Sequence, residues 1–463
     1  MKKNLISLAG AFLLCMATFA NDVSINAVTL QGQNTGGPLN THYSNVQFDI
    51  TWKNSWRTST NENNYDGCWI FIKYRKQSTS VWLHATLNAT GQTAPGGSTL
   101  QPSADGKGAW IYRTGNGIGD VAYNSAILRW NYGADGVLDN ENAEIQLYAV
   151  EMVYVPQMAF NLGNSSAEIN KFRDGAVDTW FPVTSEATIT CGSSAGNLTA
   201  GASFLNSGTI PAAFPKGYNA FWTMKYEFSK QQYLDFLNTL DQTNATARNN
   251  IGATGNVPNM AVTQPERAAQ AFSTLNVLAW LDWADMRPMT ELEYEKACRG
   301  GNNTPSPLEF AWGNTTISPI TTSSNPGAAN ETWATGNANY GGGPGLPMRC
   351  GALATASSTR TTSGASFYGI MELSGNVREF AIYAGSAAGR TFTGLHGDGV
   401  LNALAEANTP NWPSTTNNFT TTARGGYFSD GSGQLQICDR SSGTLEYTTS
   451  NASNGGRGVR TGE

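Results

Sequence analysis

The segment Y-G-I-M-E-L-S-G-N-V-R-E-F, residues Tyr368–Phe380, places a Ser-Gly-Asn turn between two apolar runs. Glycine and asparagine tolerate positive φ, and serine and asparagine side chains bond nearby backbone groups, so the three residues favour a tight turn. Such a turn can direct several carbonyl oxygens at one point, and the carboxylate of Glu379 follows closely. Calcium prefers oxygen ligands of this kind. The segment therefore predicts either a calcium site or a buried turn in which Glu379 caps backbone amides.

The composition around this segment is typical of a loop-rich exported protein. The chain has 463 residues, enough for two or three domains that each bury a core. Only 13% of the residues are charged, 11% are aromatic and 51 are glycine, a pattern that predicts short strands and long ordered loops. The net charge of −6 and the lack of a Lys/Arg run argue against a nucleic-acid or anionic-membrane partner.

The first 20 residues have the pattern of a secretory signal peptide. Two lysines precede an apolar run, Leu5–Met16, and the small residues Thr18 and Ala20 predict cleavage before Asn21. No later apolar run approaches the ~20 residues that a membrane-spanning helix needs. We therefore expect an exported protein without a membrane span, located in the periplasm, at the cell surface or outside the cell.

Cleavage would leave Cys68, Cys191, Cys298, Cys350 and Cys438. Their odd number predicts at least one thiol that is free or paired outside the chain, and the sequence does not determine which of the others form disulfides. No C-x-x-C motif is present, so a zinc or thioredoxin-like site has no support.

Residues 21–150 are predicted to form a β-sandwich, because short runs with period-two alternation are separated by turn-rich gaps. The tryptophans of this module are Trp52, Trp56, Trp69, Trp82, Trp110 and Trp130. Core packing is the favoured interpretation of these residues, and an aromatic platform for sugar rings is the alternative. The acidic loop Gly133–Glu141 has oxygens for a cation, but its spacing differs from the twelve-residue EF-hand loop, so a solvated turn is favoured.

A second unit is predicted over residues 151–463, with a loop-rich insertion at about 161–215. Helical periodicity covers Ser229–Leu240, with the serine as N-cap, and Pro265–Asp285. A capping box at Thr290 begins a third, short helix that ends at Gly300. The carboxylates of this helix, at Glu291, Glu293 and Glu295, are assigned to a solvated face.

A series of motifs in the second unit then carries a resemblance. In order they are K-Y-E at 225–227, R-P-M-T-E-L-E-Y-E-K-A-C-R-G-G at 287–301, F-A-W-G-N at 310–314, the segment at 368–380, R-G-G at 424–426, and Asn454 with G-V-R at 458–460. The series resembles the formylglycine-generating enzyme, or sulfatase-modifying factor, family. The resemblance implies an α+β, C-type-lectin-like fold with long loops, family members of which bind calcium.

The resemblance also implies calcium ligands. The calcium segment of the family falls on backbone oxygens of Ser374, Gly375 and Val377 and on the carboxylate of Glu379. A second calcium site of the family would begin at Asn339 and Tyr340, although residues 341–347 lack the acidic continuation.

The enzymes of the family oxidise a substrate cysteine with two cysteines that hold copper and follow the R-G-G motif. Thiolates suit this role because they are soft ligands for Cu(I) and carry the redox chemistry. Residues 427–440 contain only Cys438, so neither the catalytic pair nor copper is expected, and Cys438 is predicted to be buried or disulfide-bonded. A three-histidine iron site is also not expected, because two of the 3 histidines lie in residues 21–150.

Three functions follow from these observations. The preferred hypothesis is an exported, non-catalytic, calcium-stabilised protein that serves binding or assembly at the bacterial cell envelope, with a protein or glycan partner or by self-assembly. The second is a divergent oxidase that modifies protein cysteines. The third is carbohydrate binding through the N-terminal tryptophans or the lectin-like domain.

Overall fold

The computed structural model describes residues 23–79, 81–165, 168–201, 205–355 and 357–462, so the predicted signal peptide lies outside the described residues. The strands are β1 (Ser24–Asn34), β2 (Tyr43–Arg57), β3 (Asp66–Lys76), β4 (Leu83–His84), β5 (Ser98–Pro102), β6 (Ala109–Arg113), β7 (Gly117–Trp130), β8 (Ala143–Val155), β9 (Phe160–Leu162), β10 (Arg173–Asp174), β11 (Phe181–Val183), β12 (Ile189–Cys191), β13 (Leu198–Thr199), β14 (Gly208–Ile210), β15 (Phe221–Met224), β16 (Arg287–Thr290), β17 (Ser323–Ser324), β18 (Thr332–Trp333), β19 (Glu379–Ile382), β20 (Thr421–Arg424), β21 (Thr444–Leu445) and β22 (Gly458–Thr461). The helices are α1 (Lys230–Leu237), α2 (Gln242–Arg248), α3 (Thr274–Trp283), α4 (Glu291–Arg299) and α5 (Arg360–Ser363), with short 3-10 helices at Leu39–Thr41, Gly389–Thr391, Thr415–Asn417 and Ser432–Leu435.

The N-terminal part is all-β, as predicted. A sheet of order β1-β2-β7 packs across a hydrophobic core against β3, β6 and β8 of a second sheet. Strand β2 alternates between buried and half-buried residues, the period-two pattern that the sequence shows. Strand β3 is buried on both faces, because Ile70 faces this core whereas Trp69 and Phe71 face the helices of the second unit.

Most of the N-terminal tryptophans belong to the core. Trp52, Trp69, Trp110 and Trp130 are at most 2% exposed. The ring of Trp110 stacks on that of Trp222 in the second unit, with 4.2 Å between centroids. Four of the six tryptophans are therefore packing residues, and no sugar platform can be built from them.

One large sheet joins the two parts of the chain. Its order is β21-β20-β19-β16-β22-β15-β8-β3-β6-β5, and β4 pairs with β3. Strand β8 pairs with β3 on one side and with β15 on the other. The predicted boundary at residue 150 falls inside this shared strand.

Two ionic clusters lie across the same junction, one fully buried and one that reaches the exposed side chain of Asp105. The Nζ atom of Lys225 lies 2.5 Å from Glu151 Oε1 and 3.3 Å from Asp66 Oδ2, and all three side chains are at most 4% exposed. In the second cluster, Arg460 pairs with Asp285 at 2.5 Å and with Asp105 at 2.6 Å. The junction is therefore held by charge pairing as well as by the sheet.

The helix predictions are confirmed in type and corrected in length. Ser229 caps α1 through a capping box with Gln232, and Thr290 caps α4. Helix α3 is shorter than the predicted 265–285, because Ser273 caps it and residues 265–272 form isolated bridges with other segments instead. The insertion forms a two-stranded sheet, β9 with β11, and a small sheet of order β10-β13-β12-β14. No helix in the described part of the chain combines the length and hydrophobicity of a membrane span.

Candidate functional site

The Ser-Gly-Asn turn forms as predicted and lies between two other loops. Gly375 and Asn376 have φ values of 103° and 69°. The amide of Asn376 donates to Asn339 O at 3.0 Å, and that of Gly375 donates to Gly425 O at 2.8 Å. A Cβ atom on Gly375 would lie only 2.6 Å from Asn339 O, so this position requires glycine. The turn therefore brings the two predicted calcium segments and the R-G-G motif together.

Polar side chains hold the turn in place. The side-chain nitrogen of Asn376, Nδ2, donates to Glu227 Oε2. Its side-chain oxygen, Oδ1, accepts from Asn339 Nδ2 at 3.0 Å and from Met348 N at 2.8 Å. The other oxygen of Glu227 accepts from Val377 N at 3.0 Å. These partners occupy both acceptor positions of the Asn376 side-chain oxygen and one of its two N–H donors, so the side chain fixes the turn.

Glu379 is fully buried and only half satisfied. Its Oε1 atom accepts from Arg457 Nη2 at 3.0 Å. Its Oε2 atom accepts no hydrogen bond from the described residues and faces Gly425. Burial raises the pKa of this carboxyl to about 7, although Arg457 acts in the opposite direction.

Glu372 is a second buried carboxylate, which the sequence analysis did not single out. It has a φ of 59°, and its Oε1 atom accepts from Gly351 N at 2.8 Å. Its Oε2 atom has no hydrogen-bond partner among the described residues, and burial raises its pKa to about 7. One feature of the sequence could have identified Glu372: its carboxylate lies two residues before Ser374, in the segment where calcium ligands were already predicted.

A small cavity of about 10 Å³ lies beside the turn, with Asn339, Glu372, Ser374 and Asn376 among its lining residues. This volume is close to that of a single water-sized occupant. Asn339 Oδ1 also lacks a hydrogen-bond partner among the described residues. Unpartnered oxygens of Glu372, Glu379 and Asn339 thus cluster around one turn.

The charges at the turn do not balance. Burial raises the pKa of Glu227, and the neighbouring carboxylates of Glu379 and Glu372 raise it further. Among these three carboxylates, Glu379 accepts a hydrogen bond from the guanidinium of Arg457. Arg457 also donates to the carbonyls of Met224 and Met371, each at 2.7 Å. Arg349 and Lys225 also lower the pKa of Glu372, but burial still raises the pKa of all three carboxyls, which favours either bound protons or a further cation.

The structure places the predicted ligands in two positions. Ser374 and Gly375 lie in the turn, and Val377 and Glu379 follow it closely, with Glu379 at the start of β19. Asn339 contacts the turn through its backbone oxygen. The hydroxyl of Ser374 is used structurally, since it donates to Leu435 O at 2.8 Å. Tyr340 instead lines a groove on the surface. No group of three or more His, Cys, Asp or Glu side chains in the described ranges is arranged to hold a metal; the predicted ligands are mainly backbone oxygens, a different class.

The segment after R-G-G carries an ion pair and a buried aliphatic side chain. Asp430 accepts two hydrogen bonds from Arg378 Nη2, at 2.9 and 2.8 Å. Leu435 is fully buried against Phe310 and Trp312. The side chains in this segment therefore stabilise the loop and supply no thiol.

Cys438, the one cysteine near this motif, lies in the core. Its Sγ atom is fully buried and lies 2.9 Å from Arg299 Nη2. Burial, reinforced by Glu295, raises the pKa of the thiol well above its usual value. The five described cysteines are all buried, free thiols, so Cys438 is buried as predicted but forms no disulfide.

We expect a thiol-specific reagent such as Ellman's reagent to label none of these cysteines rapidly in the native mature protein. The thiolate is the reactive form, and burial both disfavours it and blocks access. All five should react once guanidinium chloride unfolds the chain. Rapid labelling of Cys438 in the native state, identified by mass spectrometry, would contradict this placement.

The prediction of a solvated acidic face on α4 is wrong. Glu291, Glu293 and Glu295 are at most 1% exposed. Glu291 accepts from Arg440 at 2.8 Å and from Arg424 at 3.2 Å. Glu293 pairs with Arg287 at 2.6 Å, and Glu295 pairs with Arg424 at 3.0 Å. The helix can be buried because three guanidinium groups neutralise it, one from the preceding strand β16 and two, Arg424 and Arg440, from more than 100 residues further along the chain.

Comparison with known families identifies the second unit. The family model described as "Sulfatase-modifying factor enzyme 1-like domain" matches residues 183–460, more than half of the chain. A search of curated proteins found no match. The resemblance drawn from the motifs is confirmed, and the matched range contains the Ser-Gly-Asn turn, α4 and R-G-G. The chain therefore belongs to the sulfatase-modifying factor family.

Proposed function

We propose that this protein is an exported, non-catalytic member of its family, with a C-type-lectin-like domain that serves binding or assembly at the cell envelope or outside the cell. The observation that carries the proposal is the segment after R-G-G. It holds the Arg378–Asp430 ion pair and buried Leu435 where the family enzymes carry two cysteines. Export is supported by the N-terminal sequence pattern.

Chemistry on a substrate cysteine requires a reactive thiol in this region. Cys438 is fully buried, and its raised pKa disfavours the thiolate. The hydrogen bonds from Gly341 N to Asp430 O, 2.8 Å, and from Gly342 N to Phe428 O, 2.9 Å, tie the segment to a neighbouring loop. These contacts support a structural use of the segment.

We further propose that calcium stabilises the turn. The unpartnered oxygens of Glu372 and Glu379 and the excess of buried negative charge fit a hard cation. Backbone oxygens of Ser374, Gly375 and Val377 and the carboxylate of Glu379 would hold it, with Glu372 as an additional oxygen donor. The ion would supply positive charge and no reactive chemistry.

Elemental analysis of the purified mature protein, with thermal melts in calcium and in chelator, tests this proposal. We expect bound calcium and a melting temperature that falls by roughly 5 °C or more in chelator, since a ligand that binds only the native state stabilises it. Glu379→Gln should abolish most of this difference. Glu144→Gln, on the half-exposed pair with Arg75, should leave it unchanged.

Two results would overturn parts of the proposal. Equal melting temperatures in calcium and chelator, with no bound calcium, would remove the metal. Stoichiometric copper, together with conversion of a cysteine-containing sulfatase peptide to formylglycine, would make the protein an oxidase.

A further inference from the structure

A groove of about 700 Å³ opens on the surface of the second unit. Its lining includes Ile320, Thr321 and Thr322, which precede β17, Trp333 of β18, and Tyr340 with Pro344 from the loop that follows. Its volume lies within the range of small-molecule sites.

The lining combines aromatic rings with hydroxyl groups and carries no charge. Trp333 and Tyr340 supply the rings, and the threonines with Ser323 supply hydroxyls. None of the described lining residues is Asp, Glu, Lys, Arg or His. An ionic ligand would lose its hydration there without gaining a countercharge, whereas a purely apolar ligand would leave the hydroxyls unused.

The two aromatic residues, Trp333 and Tyr340, are held in position before any ligand binds. The indole nitrogen of Trp333 donates to Glu331 Oε1 at 2.9 Å, and Glu331 is itself only 1% exposed. The ring of Tyr340 packs beside Phe310 and Trp312, and its hydroxyl makes no hydrogen bond with the described residues. A fixed ring and an available hydroxyl lower the entropic cost of binding.

We propose that this groove binds a neutral carbohydrate. The C–H faces of a sugar ring would pack on Trp333 and Tyr340, and the sugar hydroxyls would bond to the threonine, serine and tyrosine hydroxyls. A peptide that added a strand would find little backbone to pair with, because the hairpin strands are only two residues each and the amides of Gly341 and Gly342 are already bonded to Asp430 and Phe428.

The inference rests on the proposed non-catalytic function. The groove adjoins the segment where the family enzymes carry their cysteines, and a protein that modified cysteines would need this region for its substrate. It differs from the calcium proposal, because no carboxylate lines the groove. It also differs from the N-terminal platform of the sequence analysis, whose tryptophans are mostly buried.

The test is a binding screen of the mature protein against neutral hexasaccharides of glucose, mannose, xylose and N-acetylglucosamine, with hexagalacturonate as the charged comparison. Isothermal titration should then give binding to at least one neutral glycan and none to hexagalacturonate. Trp333→Ala and Tyr340→Ala should each weaken this binding at least tenfold, whereas Tyr340→Phe, which keeps the ring, should weaken it less. Trp82→Ala is the matched control, since that half-buried ring stacks on Arg75 in the N-terminal part.

Thermal melts of each variant separate loss of binding from loss of folding, and Trp333→Phe serves if Trp333→Ala fails to fold. Absence of binding to every neutral glycan, or binding unaffected by both aromatic substitutions, would overturn the groove proposal. Either result, with no formylglycine produced, would leave the non-catalytic function standing. Turnover of the sulfatase peptide would overturn that function instead.

Discussion

Replacing Lys225 with methionine is expected to lower the free energy of unfolding by about 3–5 kcal/mol. The lysine is 3% exposed and pairs with Asp66 and Glu151. Burial alone would lower its pKa, but the two carboxylates outweigh that effect and raise it. Methionine keeps most of the volume and leaves two buried carboxylates without their cation. Urea unfolding followed by tryptophan fluorescence measures the loss.

A double-mutant cycle keeps this prediction falsifiable. Glu151→Gln in the Lys225→Met background should recover part of the lost stability, because one of the two unpaired charges is then removed. A loss for Lys225→Met below about 1 kcal/mol would show that the cluster is not buried as described.

Lys73 is the matched control for Lys225. It is also buried, at 1% exposure, but its partners are Gly399 O at 2.9 Å and His84 Nδ1 at 3.0 Å, with no described carboxylate within 4.0 Å. Burial lowers its pKa from 10.5 to about 7, partly offset by Asp285. Between these values the unfolded chain binds a proton that the folded chain does not, so this lysine opposes folding increasingly as pH falls towards 7. At about pH 6, Lys73→Met should therefore lower the free energy of unfolding by less than about 1 kcal/mol or raise it. The stability of this variant relative to the unchanged protein should then decrease as pH rises, because the lysine opposes folding less at higher pH.

Glu291→Gln is expected to have an effect of similar size, about 3–5 kcal/mol. The carboxylate neutralises Arg440 and Arg424, which are each 1% exposed, and it also accepts from Ala384 N at 2.9 Å. Glutamine keeps the shape of the side chain but leaves the two guanidinium groups short of negative charge. Glu144→Gln, on a half-exposed pair, should cost less than about 1 kcal/mol in the same measurement. Equal losses for the two variants would contradict the buried network on α4.

The sequence predicted local features better than long-range pairing. The caps at Ser229 and Thr290 and the turn at Gly375 were predictable, because each depends on neighbouring residues. The buried state of Glu291 was not, because its partners follow it by more than one hundred residues. A charged residue is taken as exposed unless its partner is known, and only the tertiary fold supplies that partner.

The candidate site shows the same limit. The motif located the turn, but Glu372 became a candidate ligand only when its second oxygen was found buried without a partner. The groove at Trp333 and Tyr340 was also not predicted as a unit, because its lining residues come together only in the folded chain.

The shared strand β8 has a consequence for the two sheet edges that would otherwise meet solvent at the junction. Two separate sheets would each end in an exposed strand at the junction, and exposed edge strands pair readily with other chains. Pairing β8 with β15 covers both edges at once. A fragment that begins after β8 would present β15 as a free edge, and we expect such a fragment to aggregate more readily than the whole chain.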